Sequence, residues 1–178
     1  MDFSTVSIVK HPIDRVWTVM RDDLADLADL MDDIESIHVE LREEGPPIFK
    51  IVNVWTAHPR LPESVVRYLG SETFSWTDRA EWNEKRMECL WSIEPHRFRD
   101  RIRCVGATRF SPAMGGRGTR VVFSGEIEWN SQNLPGLPSM LEEAVYAGAE
   151  ALVKSLIPKN FRKITDAIAA HLDALGGE

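Results

Sequence analysis

The sequence predicts an α+β protein: an antiparallel sheet of about seven strands, two short helices after the first strand and one long C-terminal helix. Three observations carry this reading. From Ile34 to Trp129 apolar residues recur with a period of two between Gly, Pro and charged turns, as strands with one buried face require. Apart from one short insertion between strands, helical spacing is confined to the segment after Pro12 and to the last third of the chain. That last third opens with Ser139 and Glu142 in the S-x-x-E spacing of a capping box, where each side chain satisfies a backbone N–H that the helix start leaves free.

Taken in order, Phe3 to Val9 is rich in β-branched residues and reads as a strand. Pro12, with its fixed φ, suits a first helical position, and Ile13, Val16, Trp17 and Met20 form the stripe of a first short helix. After Arg21-Asp22-Asp23, the residues Leu24, Leu27, Leu30 and Met31 form a second stripe. Ile37, Val39 and Leu41 then alternate with Ser36, His38, Glu40 and Arg42, which places the apolar set inward and the polar set outward. Glu44-Gly45-Pro46-Pro47 is a turn, and Phe49, Ile51, Asn53 and Trp55 continue the inner row on the next strand.

Between Ala57 and Ser71 the alternation stops, and Pro62 to Leu69 followed by Gly70 predicts a two-turn helix inserted between strands. Three inner rows follow: Phe74, Trp76, Asp78, Ala80 and Trp82; then Met87, Cys89, Trp91 and Ile93; then Phe98, Asp100, Ile102, Cys104 and Gly106. Gly115-Gly116-Arg117-Gly118 turns into a last strand with Thr119, Val121, Phe123, Gly125, Ile127 and Trp129 inward. Turns centred near Glu84-Lys85, His96-Arg97 and Met114-Gly115 pair Asp78 with Trp91, Cys89 with Cys104, and Asp100 with Trp129. In the terminal helix Leu141, Val145, Ala149, Leu152 and Leu156 make one stripe, which Phe161, Ile164, Ile168 and Leu172 extend beyond a bend at Pro158. No linker divides the chain, so residues 1–178 are expected to form one domain.

Composition narrows the function. A net charge of −7 repels phosphate backbones and anionic membrane surfaces, so nucleic acid is not an expected partner. No apolar run approaches the ~20 residues that span a bilayer, and the acidic start Met1-Asp2 is unlike a secretory signal, so no membrane insertion and a cytoplasmic location are expected. Cys89 and Cys104 form no CxxC pair and no disulfide framework. The five histidines, at 11, 38, 58, 96 and 171, lack metal-ligand spacing, and the glycine turn is not set between a strand and a helix as a phosphate loop is; no metal and no cofactor are expected. Arg97, Arg99, Arg101 and Arg103 alternate, which puts Arg99, Arg101 and Arg103 on the solvent face, paired with glutamates such as Glu88 or Glu126. That face carries no interleaved aromatics for base stacking.

This order of elements is that of the helix-grip fold. Lys10-His11-Pro12-Ile13-Asp14-Arg15-Val16-Trp17 resembles the first helix of the SRPBCC superfamily, which includes START lipid-transfer domains, polyketide cyclases and aromatases, and pollen-allergen-like hormone binders. Gly118-Thr119-Arg120-Val121 and the Leu-Pro helix before the fourth strand add to the resemblance, which is to a bacterial START-like branch and spans nearly the whole chain. It implies a sheet curled around the terminal helix with an apolar cavity between them, gated by Pro62 to Leu69 and by Pro135-Gly136-Leu137-Pro138.

The inner rows supply the lining of such a cavity: Asn53, Trp55, Trp76, Asp78, Trp91, Phe123 and Trp129 are the candidate ligand-binding residues, with Trp76 and Trp91 foremost because both lie mid-strand. Asn53, Asp78 and Asp100 interrupt apolar rows, and a carboxylate removed from water needs a partner or a proton. Asp78 is the one candidate catalytic acid or base, against the alternatives of a bulge or an arginine partner at the rim. No nucleophile with base and orienter is visible. Three readings stand: a module that binds a lipid-like, polyketide-like or aromatic small molecule, a cyclase- or aromatase-type enzyme using the same cavity, and a protein-interaction domain with a filled core.

Overall fold

The computed structural model describes residues 1–58, 73–96, 99, 102–129 and 159–176. Strand β1 (Asp2–Val9) leads into α1 (Ile13–Asp22) and a 3-10 helix (Leu24–Leu30). Strands β2 (Ile34–Gly45), β3 (Ile48–Ala57), β4 (Phe74–Asn83), β5 (Glu88–Pro95), β6 (Ile102–Ala113) and β7 (Gly118–Trp129) follow. A second helix, α2, covers 159–175. Among the described residues seven strands form one antiparallel sheet in the order β1-β7-β6-β5-β4-β3-β2. The segments 62–69, 135–138 and 139–158, which carry the inserted helix, the gating loops, the capping box and the bend, lie outside the described residues, as do Phe98 and Asp100.

Pro12 stands one position before the helix as its N-cap residue, and its carbonyl accepts the first helical bond from Val16 N at 3.1 Å. Val16, Trp17, Val19 and Met20 are buried on the inner face of the sheet, where Leu24, Leu27 and Met31 join them; Leu30 is exposed. Helix α2 contributes Phe161, Ile168 and Leu172 to the same core. Polar contacts fix α2 at several points. Thr165 donates to Ser7 Oγ at 3.0 Å, His11 bonds Asp173 at 2.8 Å, and Lys163 pairs with Asp33.

The strands keep the expected inner faces but not the expected partners. Asp78 pairs with Ile93, and Trp91 pairs with Ala80. Cys89 pairs with Thr108, and Cys104 with Ile93 on one side and Ile127 on the other, so the two cysteines are buried and free without being cross-strand neighbours. Trp129 pairs with Ile102 instead of Asp100. These offsets are two, four and two residues. Their cause is turn length: the β4–β5 turn takes residues 84–87 with Met87 at φ +48°, the β5–β6 connection spans 96–101, and the last turn places Met114, Gly115 and Gly116 at positive φ. An even offset returns every side chain to its face, whereas an odd one would have turned the rows inside out.

Strand β2 departs further. Val39 pairs with Asn53 but Leu41 pairs with Val52, so Glu40 is the extra residue of a bulge. Beyond it the faces exchange: Leu41 turns outward and is 46% exposed, while Arg42 turns inward and reaches Asp22 Oδ1 at 2.7 Å and Glu44 at 2.8 Å. Val39 is also exposed, since β2 is an edge strand. On the outer face Arg103 pairs with its cross-strand neighbour Glu128 at 3.4 Å, and Arg99 with Glu94. Glu88 is engaged by Arg109 at 2.7 Å and Arg86 at 3.2 Å, not by Arg99 or Arg103.

Candidate functional site

Alternation and register together assemble a compact group on the inner face. Asn53 faces Asp78 across β3 and β4, and two residues along Trp55 faces Trp76. Directly opposed side chains on one face stand within contact range, and the two indoles stack with centroids 5.5 Å apart and planes 15° from parallel. Trp91, on β5, lies over a floor of glycine. Gly106 is its partner on β6, and Gly125 is the partner of Gly106 on β7. A Cβ on Gly106 would collide with the Trp91 ring and the Ser124 carbonyl, and one on Gly125 would stand 2.7 Å from the same ring. The indole then stacks on Phe123 at 4.6 Å, and Phe123 on Phe161 of α2 at 4.8 Å.

Between this wall and α2 lies a cavity of about 250 Å³. Its aromatic lining is Phe3, Trp55, Trp76, Trp91, Phe123 and Phe161, with Trp82 at one end. Asn53, Asp78, Thr108, Asn160 and the Asp33–Lys163 pair supply the polar groups. Trp129 closes β7, but its side chain lies outside the described residues. Of the candidates read from the sequence, Asn53, Trp55, Trp76, Asp78, Trp91 and Phe123 therefore come together around one hollow.

Asp78 is the electrostatic outlier. Although the residue as a whole is half-buried and borders the cavity, its Oδ1 has no contact with solvent and no hydrogen-bond partner among the described residues. Burial pushes its pKa from the usual 3.8 up to about 7, opposed in part by the nearby Trp55 indole N–H. That indole still does not reach bonding geometry, since Trp55 Nε1 is itself unpartnered. Burial, and then the Asp78 charge, push the Cys104 thiol up to about 12; the same causes hold Cys89 well above the thiol range. Both cysteines are therefore neutral and poor nucleophiles. Among the described residues no group of three or more His, Cys, Asp and Glu side chains could hold a metal ion, and no helix is long and apolar enough to cross a membrane.

Several lining residues escaped the sequence reading. Thr108 continues the β6 inner row one step beyond Gly106, where alternation alone places it. Phe161 and Ile164 were placed on the buried stripe of the helix but not at a site. The Asp33–Lys163 pair joins residues 130 positions apart, for which no local pattern exists.

No protein-family model and no curated protein matches the sequence. Solved structures do. TTHA0849 from Thermus thermophilus superposes with a TM-score of 0.68 at 18% identity, covering 96% of this chain and 99% of that one. The Zhui aromatase/cyclase from Streptomyces sp. R1128 gives 0.69 at 17% identity, over 97% and 93%. Ara h 8.0201 gives 0.58 at 17% identity, over 98% of each chain. At such identities the likeness is one of architecture, and that architecture, an antiparallel seven-stranded sheet with helices after its first strand and a C-terminal helix on its inner face, is the helix-grip fold.

Proposed function

We propose that this chain binds a small, predominantly apolar molecule in the hollow between the sheet and α2. The observation that carries the reading is a carboxylate oxygen, Asp78 Oδ1, shielded from solvent and without a hydrogen-bond partner among the described residues, in an aromatic enclosure. Such a group is costly in an empty protein and is answered by a guest that hydrogen-bonds to it. An unpaired indole N–H is weaker support, because Trp17 Nε1 is unpaired as well and does not border the cavity.

Size limits the guest. A hollow of about 250 Å³ exceeds the ~150 Å³ that accepts benzene and falls just short of the ~300–1,000 Å³ of drug-sized sites. One or two fused rings fit that range better than a steroid or a long acyl chain. Titration with a panel of aromatic bicycles, fatty acids and steroids should give saturable quenching of tryptophan fluorescence by the bicycles, weakened in Trp76→Ala and Trp91→Ala. Quenching by none, with both variants behaving as wild type, would defeat the reading.

A second reading, an enzyme of the cyclase or aromatase kind, is favoured by one specific feature. A carboxyl whose pKa lies near 7 can both give and take a proton at neutral pH. On that reading Asp78→Asn abolishes turnover of a bound substrate without weakening its binding. Unchanged turnover would remove Asp78 as acid or base.

A further inference from the structure

The cavity reading leaves the polar character of the guest open, and the arrangement around Asp78 narrows it. Resting on that reading, we propose that the guest is an organic cation: an amine carried on a frame of one or two rings, its nitrogen docked on Asp78 and flanked by the tryptophan wall.

The charge inventory of the lining leads there. Among the described lining residues the carboxylates are Asp78 and Asp33 and the cation is Lys163, which is already paired with Asp33. Asp78 is thus an acid whose Oδ1 is buried and which no cation among the described residues answers. An anionic guest would meet that carboxylate with like charge. A neutral alcohol could donate one hydrogen bond but would leave the charge uncompensated in a medium of low dielectric. An ammonium group cancels the charge and has N–H groups to spare. Asn53, the cross-strand partner of Asp78, and Thr108 border the same hollow and carry oxygen acceptors for them.

The apolar wall suits the same guest. Trp55, Trp76 and Trp91 line the cavity, and the negative faces of aromatic rings attract cations, indole most strongly. Aliphatic lining of equal volume would hold an apolar frame without favouring a charge on it.

Binding is then linked to protons through one group. Of the elements around the cavity, β5 presents Cys89 and β6 presents Cys104, both held as thiols at neutral pH. Helix α2 presents Lys163 and the start of β2 is preceded by Asp33, mutually paired. From α1, the 3-10 helix, β1, β3 and β7 the described lining is Met20, Leu24, Phe3, Asn53, Trp55 and Phe123, none of which titrates in this range. Asp78 therefore sets the pH dependence. Below about pH 7 it holds a proton that a cation must displace, so an amine loses affinity as pH falls, while a neutral guest does not.

Calorimetric titration of the full chain with 2-naphthylmethylamine and with its neutral counterpart 2-naphthylmethanol, at pH 6, 7 and 8, tests this. The amine should bind at least about tenfold more tightly than the alcohol at pH 8, and the margin should shrink several-fold by pH 6. Asp78→Asn should abolish the preference, bringing the two compounds to within about twofold of each other. Equal or tighter binding of the alcohol at pH 8, a margin that is the same at pH 6 and 8, or a preference that survives Asp78→Asn would each overturn the cation. Binding of the alcohol alone would do so while leaving the cavity reading intact; binding of neither compound would overturn both.

Discussion

Trp82 and Trp76 lie on the same strand and the same face, six residues apart, yet they belong to two different kinds of interior. Trp82 touches the cavity only at its end, and elsewhere the helix side packs against it. Trp17 of α1 meets it edge-on at 5.1 Å and 83°, and meets Phe110 at 5.1 Å and 82°, so rings from two layers interlock. Val16, Leu27 and Val121 fill the remaining space and are fully buried. Around Trp76 the rings run parallel instead: Trp55 on Trp76, Trp91 on Phe123, Phe123 on Phe161. Stacking of this kind lays rings along a wall, and a hollow remains in front of it. The lesson is that a tryptophan on an inner strand face is core or lining according to whether the opposite layer closes on it, not according to its own sequence position.

The largest test of that contrast is truncation at each end. Trp17→Ala should destabilise by about 3–5 kcal/mol in urea denaturation, because its site is enclosed by packed rings, whereas Trp76→Ala, which only widens an existing void, should lose about 1–2 kcal/mol. Equal losses would mean that the two ends are packed alike.

Asp78 gives a test with the opposite sign. Its folded pKa of about 7 stands above the usual 3.8, so between those values the folded state binds the extra proton and stability falls as pH rises. The penalty is absent near pH 4 and complete above pH 7. Asp78→Asn should therefore stabilise the empty protein at pH 8 by roughly 2–4 kcal/mol and have little effect at pH 4, as read from denaturation midpoints across that range. A loss of stability in Asp78→Asn at pH 8 would show that the carboxylate is answered by a charge inside the protein.

Gly106→Ala probes the wall from behind. The added methyl would drive the Trp91 ring off its glycine floor, and overpacking of this kind destabilises by about 1–3 kcal/mol while shifting the tryptophan emission. An unmoved emission maximum would place the indole elsewhere. The smallest effect belongs to Asp33→Asn. The ion pair with Lys163 is partly exposed, and its loss should lower stability by less than about 1 kcal/mol, an effect that added salt should diminish.

Much of the candidate site was legible because it rests on a local rule. Asn53 and Trp55 on one strand, and Trp76 and Asp78 on the next, were assigned inward by alternation alone, and the structure places them as two adjacent cross-strand pairs. Reading failed where a non-local length entered. The turn at 84–87 holds two more residues than a tight hairpin, and so Asp78 meets Ile93 instead of Trp91. In β2 one inserted residue reversed the faces of Leu41 and Arg42, and nothing in the spacing of that strand announced it.

The order of elements, the apolar and polar faces of most strands and the placing of an acid in an aromatic row are all local properties of the chain. Each of these follows from a side chain's position relative to its immediate neighbours, which a short window of sequence contains. Which strand residues become partners, that the inner face is packed around Trp17 and hollow beside Phe161, and that Asp78 has no countercharge among the described residues emerge only once the layers meet. Those depend on distances between layers that meet from opposite ends of the chain, and the free energy of a buried charge is set by what those layers bring near it.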